Sequence, residues 1–433
     1  MKITHIHIER FRGFQNEDFE VGSLLTAIAG QNGTQKSTLL GIITQTFTLK
    51  TEDSMRVEKP LCGGSYISAF KDKFRLSPTF DKPKGHEWTI SFDAGMDDFT
   101  VESIKRTGDP NVRFWKKGAR QEGDGYISFP TIFLSLKRLV PVAEEAKIIT
   151  DDTLLTQEEL NEFKQLHNKI LIAQTPISSA TTITSKNKQS IGVSTELYDW
   201  NQNSMGQDNL GKIILALFSF KRLHDKYPRQ YKGGILAIDE MDATMYPASQ
   251  VELLKVLRKY ASKLNLQILF TTHSMSLLKA MDDLVQEVTK KEETANQAKI
   301  LYLKKVDDKI AIKQGVNFKG IQLDLNVVAE GNNRKKNRIT AYTEDKENIL
   351  FVKAILKSKA FVLDFVDVTL PCSTLMELVT KRVPAFIYPY SIVILDGDVR
   401  MNKNDLRKIN NADNILILLQ KDYWPLICII YLM

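Results

Sequence analysis

A chain of 433 residues, 43% hydrophobic and 26% charged, is too long for one ordinary core and reads as globular, with two or three domains of roughly 150 residues expected. Lys and Arg outnumber Asp and Glu by 59 to 52, and the net charge of +7 is compatible with a phosphate-backbone partner although a solvated surface explains it as well. Cys62, Cys372 and Cys428 stand too far apart for a zinc site or a disulfide framework, and no run reaches the ~20 apolar residues that span a bilayer, which argues against secretion and membrane insertion and for a cytoplasmic location.

The alternation Ile3-Thr4-His5-Ile6-His7-Ile8 predicts a half-buried strand rather than a signal peptide. A turn at Arg12-Gly13-Phe14 and a second strand from Leu24 to Ala29 lead into Gly30-Gln31-Asn32-Gly33-Thr34-Gln35-Lys36-Ser37-Thr38, after which a helix is expected to Phe47. This nearly spells a phosphate-binding loop, in which backbone N–H groups wrap the phosphates and a Lys reaches the terminal ones. Gln35 stands where the pattern has its second glycine, so its Cβ either strains the backbone or diverts the loop.

From 51 to 130, short aromatic-rich runs such as Trp88-Thr89-Ile90-Ser91-Phe92, separated by Gly, Pro and Asp, predict an antiparallel β layer. Thr131 to Leu136 reads as a strand and Gln157 to Ile172 as an amphipathic helix. The Ser/Thr-rich stretch Thr175 to Ser194 reads as flexible, so residues 142–200 form a helical and flexible insertion. Helices over Gly211–His224, Ser249–Ala261 and Met275–Lys290 alternate with the apolar runs Gly234–Ile238 and Leu266–Thr272, which implies an α/β sheet covered on both faces. Gly315 to Arg338 is polar and ends in a basic run from Asn332, either a solvated linker or a DNA-facing patch. Beyond it, a helix over Asn348–Ser358 and a strand ending at Leu395 begin a second α/β unit.

Three further constellations follow the loop. The strand ending at Ile238 runs into Asp239-Glu240, where one carboxylate can hold Mg²⁺ and the next can orient a water. The next strand ends in Thr272-His273, within reach of a γ-phosphate. Between loop and carboxylates, Asn203-Ser204-Met205-Gly206-Gln207-Asp208 is a small-residue turn before a helix, which offers N–H donors to an anion or simply caps the helix.

Loop, small-residue turn, Asp-Glu and His, in that order, resemble the ATP-binding-cassette class of ATPases. The resemblance implies ATP and Mg²⁺ as cofactors and a Walker A loop of Gly30, Asn32, Gly33, Thr34, Gln35, Lys36, Ser37 and Thr38. It implies a signature turn with Ser204, Gly206 and Gln207, a Walker B pair Asp239-Glu240, a D-loop residue Asp242 and a switch histidine His273. Ser37 and Asp239 would hold the ATP-bound Mg²⁺, and Glu240, His273 and Lys36 would carry the chemistry. Phe11-Arg12-Gly13-Phe14 is similar to the start of the chromosome-maintenance and recombination-repair branch, in which the arginine contacts nucleotide. The segment Phe133–Arg138 holds no glutamine where the class senses Mg²⁺. With Gln35, this implies firm binding and slow hydrolysis. Two such heads sandwich two nucleotides, so a homodimer or a higher even oligomer is expected.

Past residue 331, Glu344 precedes a helix and the strand to Leu395 ends in Asp396-Gly397-Asp398. Such carboxylates can converge on divalent ions or be solvated turns. Behind an ATPase head they resemble the Toprim nuclease domain of the overcoming-lysogenization-defect family, with Glu344, Asp396 and Asp398 as metal ligands. Asp345 stands where that family has Gly, and the next acidic position falls at Glu347 or Asn348. The chain ends in an apolar tail soon after a strand at Ile415–Leu419, which predicts a shortened or altered Toprim-like unit over 331–433. The implied function is an ATPase whose head dimer controls DNA-directed nuclease action in bacterial anti-phage defence. The alternative, from similarity to Septu-type and retron-associated ATPases, is a regulatory scaffold for a separate HNH-type nuclease or toxin. A chromosome-repair ATPase would require a long coiled coil between loop and signature, and 51–203 shows no sustained heptads.

Overall fold

Alternating apolar residues put Ile6, Ile8 and Phe11 of strand β1 (Ile3–Phe11) into a core and leave His5 and Glu9 outside it. The computed structural model describes residues 1–66, 73–93, 95–105, 112–119, 124–140, 148–151, 154–173, 175–185, 189–330, 339–387, 391–410, 412 and 414–418. They cluster into two compact units, Met1–Asn326 and Val327–Met433.

In the first unit, β1 is followed by β2 (Phe14–Glu20), β3 (Leu25–Gly30), helix α1 (Lys36–Thr44), a short β4 (Phe47–Thr48), β5 (Glu87–Phe92), β6 (Phe99–Lys105), β7 (Val112–Lys116), a short β8 (Ile127–Ser128) and β9 (Thr131–Leu134). Next come β10 (Ile149–Asp151), α2 (Gln157–Leu171), β11 (Ser179–Thr184), β12 (Gln189–Ser194), α3 (Met205–Lys226), β13 (Gly234–Ile238), α4 (Pro247–Lys263), β14 (Leu266–Thr271) and α5 (Met275–Thr289). The unit closes with β15 (Ala298–Val306), β16 (Lys309–Lys313) and most of α6 (Phe318–Glu330).

The central sheet has the order β16-β15-β3-β14-β13-β9, parallel throughout except for β16 at its edge. Its inner strands are buried on both faces, so their period of two feeds two cores. Ile28, Ala237, Leu269 and Leu301 face α1 and the antiparallel sheet β2-β1-β5-β6-β7. Leu236, Ile238, Ile268 and Phe270 face α3, α4 and α5. The antiparallel layer expected from 51–130 therefore also recruits β1 and β2.

Two expectations fail. The Ser/Thr-rich stretch is not flexible: β11 and β12 pair from Ser179↔Ser194 to Thr184↔Gln189 and join β10 in a three-stranded sheet. Low hydrophobicity hid a strand pattern, because β-branched Thr suits a pleated surface and Ile183, Ile191 and Val193 are buried. Nor is the described part of 315–338 simply a linker, since Phe318–Glu330 is helical with Ile321 fully buried. The β15–β16 hairpin was not anticipated.

The second unit is a parallel four-stranded sheet, β18-β17-β19-β20, built from β17 (Ile339–Thr343), α7 (Lys346–Leu356), β18 (Leu363–Phe365), α8 (Cys372–Thr380), β19 (Ser391–Leu395), α9 (Lys403–Asn410) and β20 (Ile415–Ile417). Val393 and Leu395 enter one core and Ile394 the other, again the signature of a sheet covered on both faces. The basic run 332–338 and the tail from 419 lie outside the described residues.

Candidate nucleotide-binding site

The loop leaves the C-terminal edge of β3 and enters α1 at Lys36, the strand–loop–helix setting in which N-terminal N–H groups can face phosphate. Lys36 folds back over the loop and donates to the carbonyls of Gly30 at 3.0 Å and Gln31 at 2.9 Å. Burial pushes its ammonium down to about 8, partly opposed by Glu240, Asp239 and Asp242. Thr34 Oγ1 donates to Gln31 O at 2.8 Å, while Asn32 and Gly33 form the exposed tip. Gln35 caps α1 in the left-handed region at φ 61°, ψ 33°, and its amide Oε1 is buried with no hydrogen-bond partner. The second glycine of the usual pattern would sit in this conformation without strain, whereas Gln35 bears a steric cost.

The two chain segments meet at Ser37, whose Oγ donates to Asp239 Oδ1 at 2.9 Å. Thr271 Oγ1 donates to the same oxygen at 2.7 Å and accepts from Glu240 N at 2.6 Å, so β14 fixes the end of β13. A hydroxyl and a carboxylate side by side are hard oxygen donors of the kind Mg²⁺ takes along with phosphate oxygens and water, which is the fit expected of Ser37 and Asp239. Glu240 is held at φ 50°. The main-chain N–H of His273 donates to Asp242 Oδ1 at 3.3 Å, and burial, with Lys36 as the next cause, lowers its imidazole's affinity for a proton against the pull of Asp242, Glu240 and Asp239. Lys36, Ser37, Asp239, Glu240, Asp242 and His273 thus share one electrostatic neighbourhood.

The Ser204 turn is tied to its own helix. Ser204 caps α3 in a reciprocal box with Gln207, Ser204 Oγ accepting from Gln207 N at 3.3 Å and Gln207 Oε1 from Ser204 N at 2.8 Å. Gln207 also donates to Tyr198 at 2.7 Å. Gly206 packs on the turn after Asp242 so closely that a Cβ would lie 2.5 Å from Thr244 O. The hydrogen bonds of Ser204 and Gln207 stay within their own turn and Tyr198, away from residues 30–38.

Two residues missed in the sequence shape the site. Asp81 takes Arg12 in a fork, Nε to Oδ1 and Nη2 to Oδ2, both at 3.0 Å, while Arg12 Nη1 reaches Thr38 Oγ1 at 3.5 Å. Burial alone would raise the Asp81 carboxyl, but Arg12, Ser77 N and His86 bring it down to about 2. Arg12, Gln35, Arg10, Arg75 and Phe80 line a cavity of about 730 Å³ next to the loop. Arg138, 3% exposed at the end of the segment where the ATPase class carries its glutamine, is the other, and nothing in its neighbours' identities marks it out. At Gln31 of the loop, Asp324 of α6 accepts from the Gln31 amide at 3.4 Å, and also from Tyr302 at 2.6 Å and from Lys304.

In the second unit, Glu344 and Asp396 follow adjacent parallel strands, and Glu344 Oε1 accepts from Asp396 N at 2.8 Å. Burial raises the Glu344 carboxyl, Asp396 N opposes this, and Asp398, Asp396 and Asp345 add to the rise. Asp345 caps α7 and Asp396 Oδ1 accepts from Gly397 N, so both have structural duties. Among the described residues no group of three or more His, Cys, Asp or Glu side chains is placed to hold a metal ion.

A family model described as an AAA ATPase domain matches residues 135–278, the span holding the signature turn, Asp239-Glu240 and His273. No curated protein matches the chain. Among solved structures, the chain is similar to the SMC head domain from Thermotoga maritima at 14% identity and TM-score 0.41, covering 73% of this chain and all of that one. It is also similar to an SmcHead bound to the C-winged helix domain of ScpA, at 14% identity and TM-score 0.42 over 74% of this chain and all of that one. An Smc head with an extended coiled coil, bound to the C-terminal domain of ScpA from Pyrococcus furiosus, gives 12% identity and TM-score 0.40 over 76% and 99%. No helix among the described residues is long and apolar enough to cross a membrane. The matched domain identifies ATPase activity, and in this mixed α/β unit the Lys36 loop folds against Asp239 of that domain.

Proposed function

We propose that the protein is an ATP-driven dimerisation switch that controls nucleic-acid cleavage in anti-phage defence. The observation that carries the ATP part is the meeting of Ser37 Oγ with Asp239 Oδ1 beside a desolvated Lys36. Lys36, now spent on loop carbonyls, would turn to the β- and γ-phosphates, and the loop N–H groups would hold the same oxygens. Ser37 and Asp239 would hold the Mg²⁺ ion, which when bound would supply neutralisation of phosphate charge. Glu240 would orient the attacking water and His273, kept neutral by burial, would reach the γ-phosphate. Ser204 of a second copy would complete the site, so that ATP joins two heads and hydrolysis releases them.

The effector would be the carboxylates Glu344, Asp396 and Asp398 at the edge of a parallel sheet, acting on DNA. A second reading is favoured by the hydrogen bonds that already engage Glu344 Oε1 and Asp396 Oδ1: the unit would be non-catalytic and the ATPase would hold and release a separate nuclease of the HNH type or a toxin, a retron-associated partner among them. Nicking of supercoiled DNA in Mg²⁺ or Mn²⁺, lost in Asp396→Ala and Asp398→Ala, separates the two. Cleavage by wild type alone supports the first reading, and no cleavage of DNA or RNA with or without ATP rejects it.

A further inference from the structure

Arg138 is a buried cation spent on three chain segments at once. Nη1 donates to the carbonyls of Leu134 at 3.2 Å and Ser135 at 3.1 Å, next to β9, which fixes the guanidinium plane. Nη2 donates to Glu240 O at 2.8 Å. Nε donates to Asn209 Oδ1 at 2.7 Å, on α3 one turn beyond the Ser204 cap. Asn209, fully buried, returns its Nδ2 to Ala243 O at 2.9 Å, and Ala243 N donates to Glu240 O at 3.1 Å. The result is a closed ring of hydrogen bonds from the signature helix to the main chain of Glu240.

A buried guanidinium is expensive unless every donor is used, and removing one partner leaves the charge stranded. Burial brings Arg138 down to about 10, with Asp239, Glu240 and Asp242 offsetting it. The Glu240 backbone is therefore held on both sides, its N–H by Thr271 and its carbonyl by Arg138, in a left-handed conformation a glutamate does not choose by itself. A shift of α3 that follows capture of a phosphate at Ser204 reaches the Glu240 main chain through Asn209, directly by Arg138 and by way of Ala243.

We infer that Arg138 is a positioning residue that, through Asn209, ties the signature helix to Glu240 and so makes hydrolysis depend on whether the signature turn is engaged. The inference rests on Glu240 as the water-orienting carboxylate. Its test compares single-turnover hydrolysis and equilibrium ATP affinity in wild type, Arg138→Lys, Asn209→Leu, their double variant and Glu240→Gln, each checked for folding by a thermal melt. Lysine keeps the charge but has no fork to span Asn209 and Glu240. Each single variant should slow hydrolysis about tenfold or more while ATP affinity stays within roughly threefold, because the Lys36 loop is untouched. The double variant should be no slower than the slower single one, since both cut the same link. A hydrolysis rate near wild type in either folded single variant, affinity falling in step with rate, or losses that multiply would overturn the inference. Should Arg138→Lys not fold, the rate and affinity of Asn209→Leu decide between the same two outcomes. An unchanged rate in Glu240→Gln would instead reject the role of Glu240, whatever the other variants do.

Discussion

Gln35 gives the most direct test of the loop's physics. Its φ of 61° lies where a Cβ crowds the following carbonyl, at a cost of about 1–2 kcal/mol for an L-residue. Glycine removes that cost but gives up about 0.5–1 kcal/mol more backbone entropy on folding. Comparing Gln35→Gly with Gln35→Ala isolates the backbone effect, because both lose the side-chain amide and differ only in the Cβ. At an ordinary right-handed helical position alanine would win; here the Gln35→Gly variant should be more stable by about 1 kcal/mol, a difference of about 2 °C in melting temperature for a unit of this size. Scanning calorimetry of the two variants side by side reads it. An Ala variant as stable as the Gly variant or more so would refute the claim that Gln35 is held under strain.

Burial of Lys36 makes ATP affinity pH-dependent: with its proton lost above about 8 in the free protein, affinity should be flat below pH 7 and weaken by up to about tenfold per pH unit above 8, and Lys36→Arg should flatten the curve. Equilibrium binding of ATP between pH 6 and 9.5 (a range of roughly three titration decades) checks this. His167 is buried on α2 with neither ring nitrogen bonded, and burial lowers it from 6.5 to about 4. Its folded form resists the proton that the unfolded chain accepts, so stability is full above pH 6.5 and falls by about 3 kcal/mol as pH drops to 4; urea titrations of His167→Leu should lack that drop. Gln35→Gly should also raise steady-state ATP turnover if the left-handed glutamine is what makes the loop a slow switch, and a colorimetric phosphate assay showing no change would remove Gln35 from the rate.

How much was legible follows from how local each signal is. The loop could be read because phosphate binding demands small residues and a Lys at fixed spacing, and Asp239, Glu240 and His273 because an apolar run announces a buried strand and marks its end. Arg138 could not, since its partners lie at Asn209 and Glu240, far along the chain, and only the folded core brings them to it. Asp81 escaped for the same reason: a single acidic residue in a loop says nothing until Arg12 is placed against it. The β11–β12 pair was misread because composition was weighed above alternation, although Ile183, Ile191 and Val193 kept the period of two. In the second unit the strands ending at Leu395 and starting at Ile415 were expected, whereas β17, β18 and the hydrogen bond between Glu344 and Asp396 N depend on which strands become neighbours.

The central claim is that Ser204 of one copy works on the phosphate held by Lys36 of another. Mixing two inactive variants, Lys36→Ala and Ser204→Arg, tests it by ATP hydrolysis. About half of the dimers in an equal mixture are hybrids, and each hybrid has one of its two sites intact, so activity should recover to about a quarter of wild type. Recovery that rises with mixing time toward that level is the predicted result. A mixture no more active than its two components would place the whole site within a single chain and contradict the account.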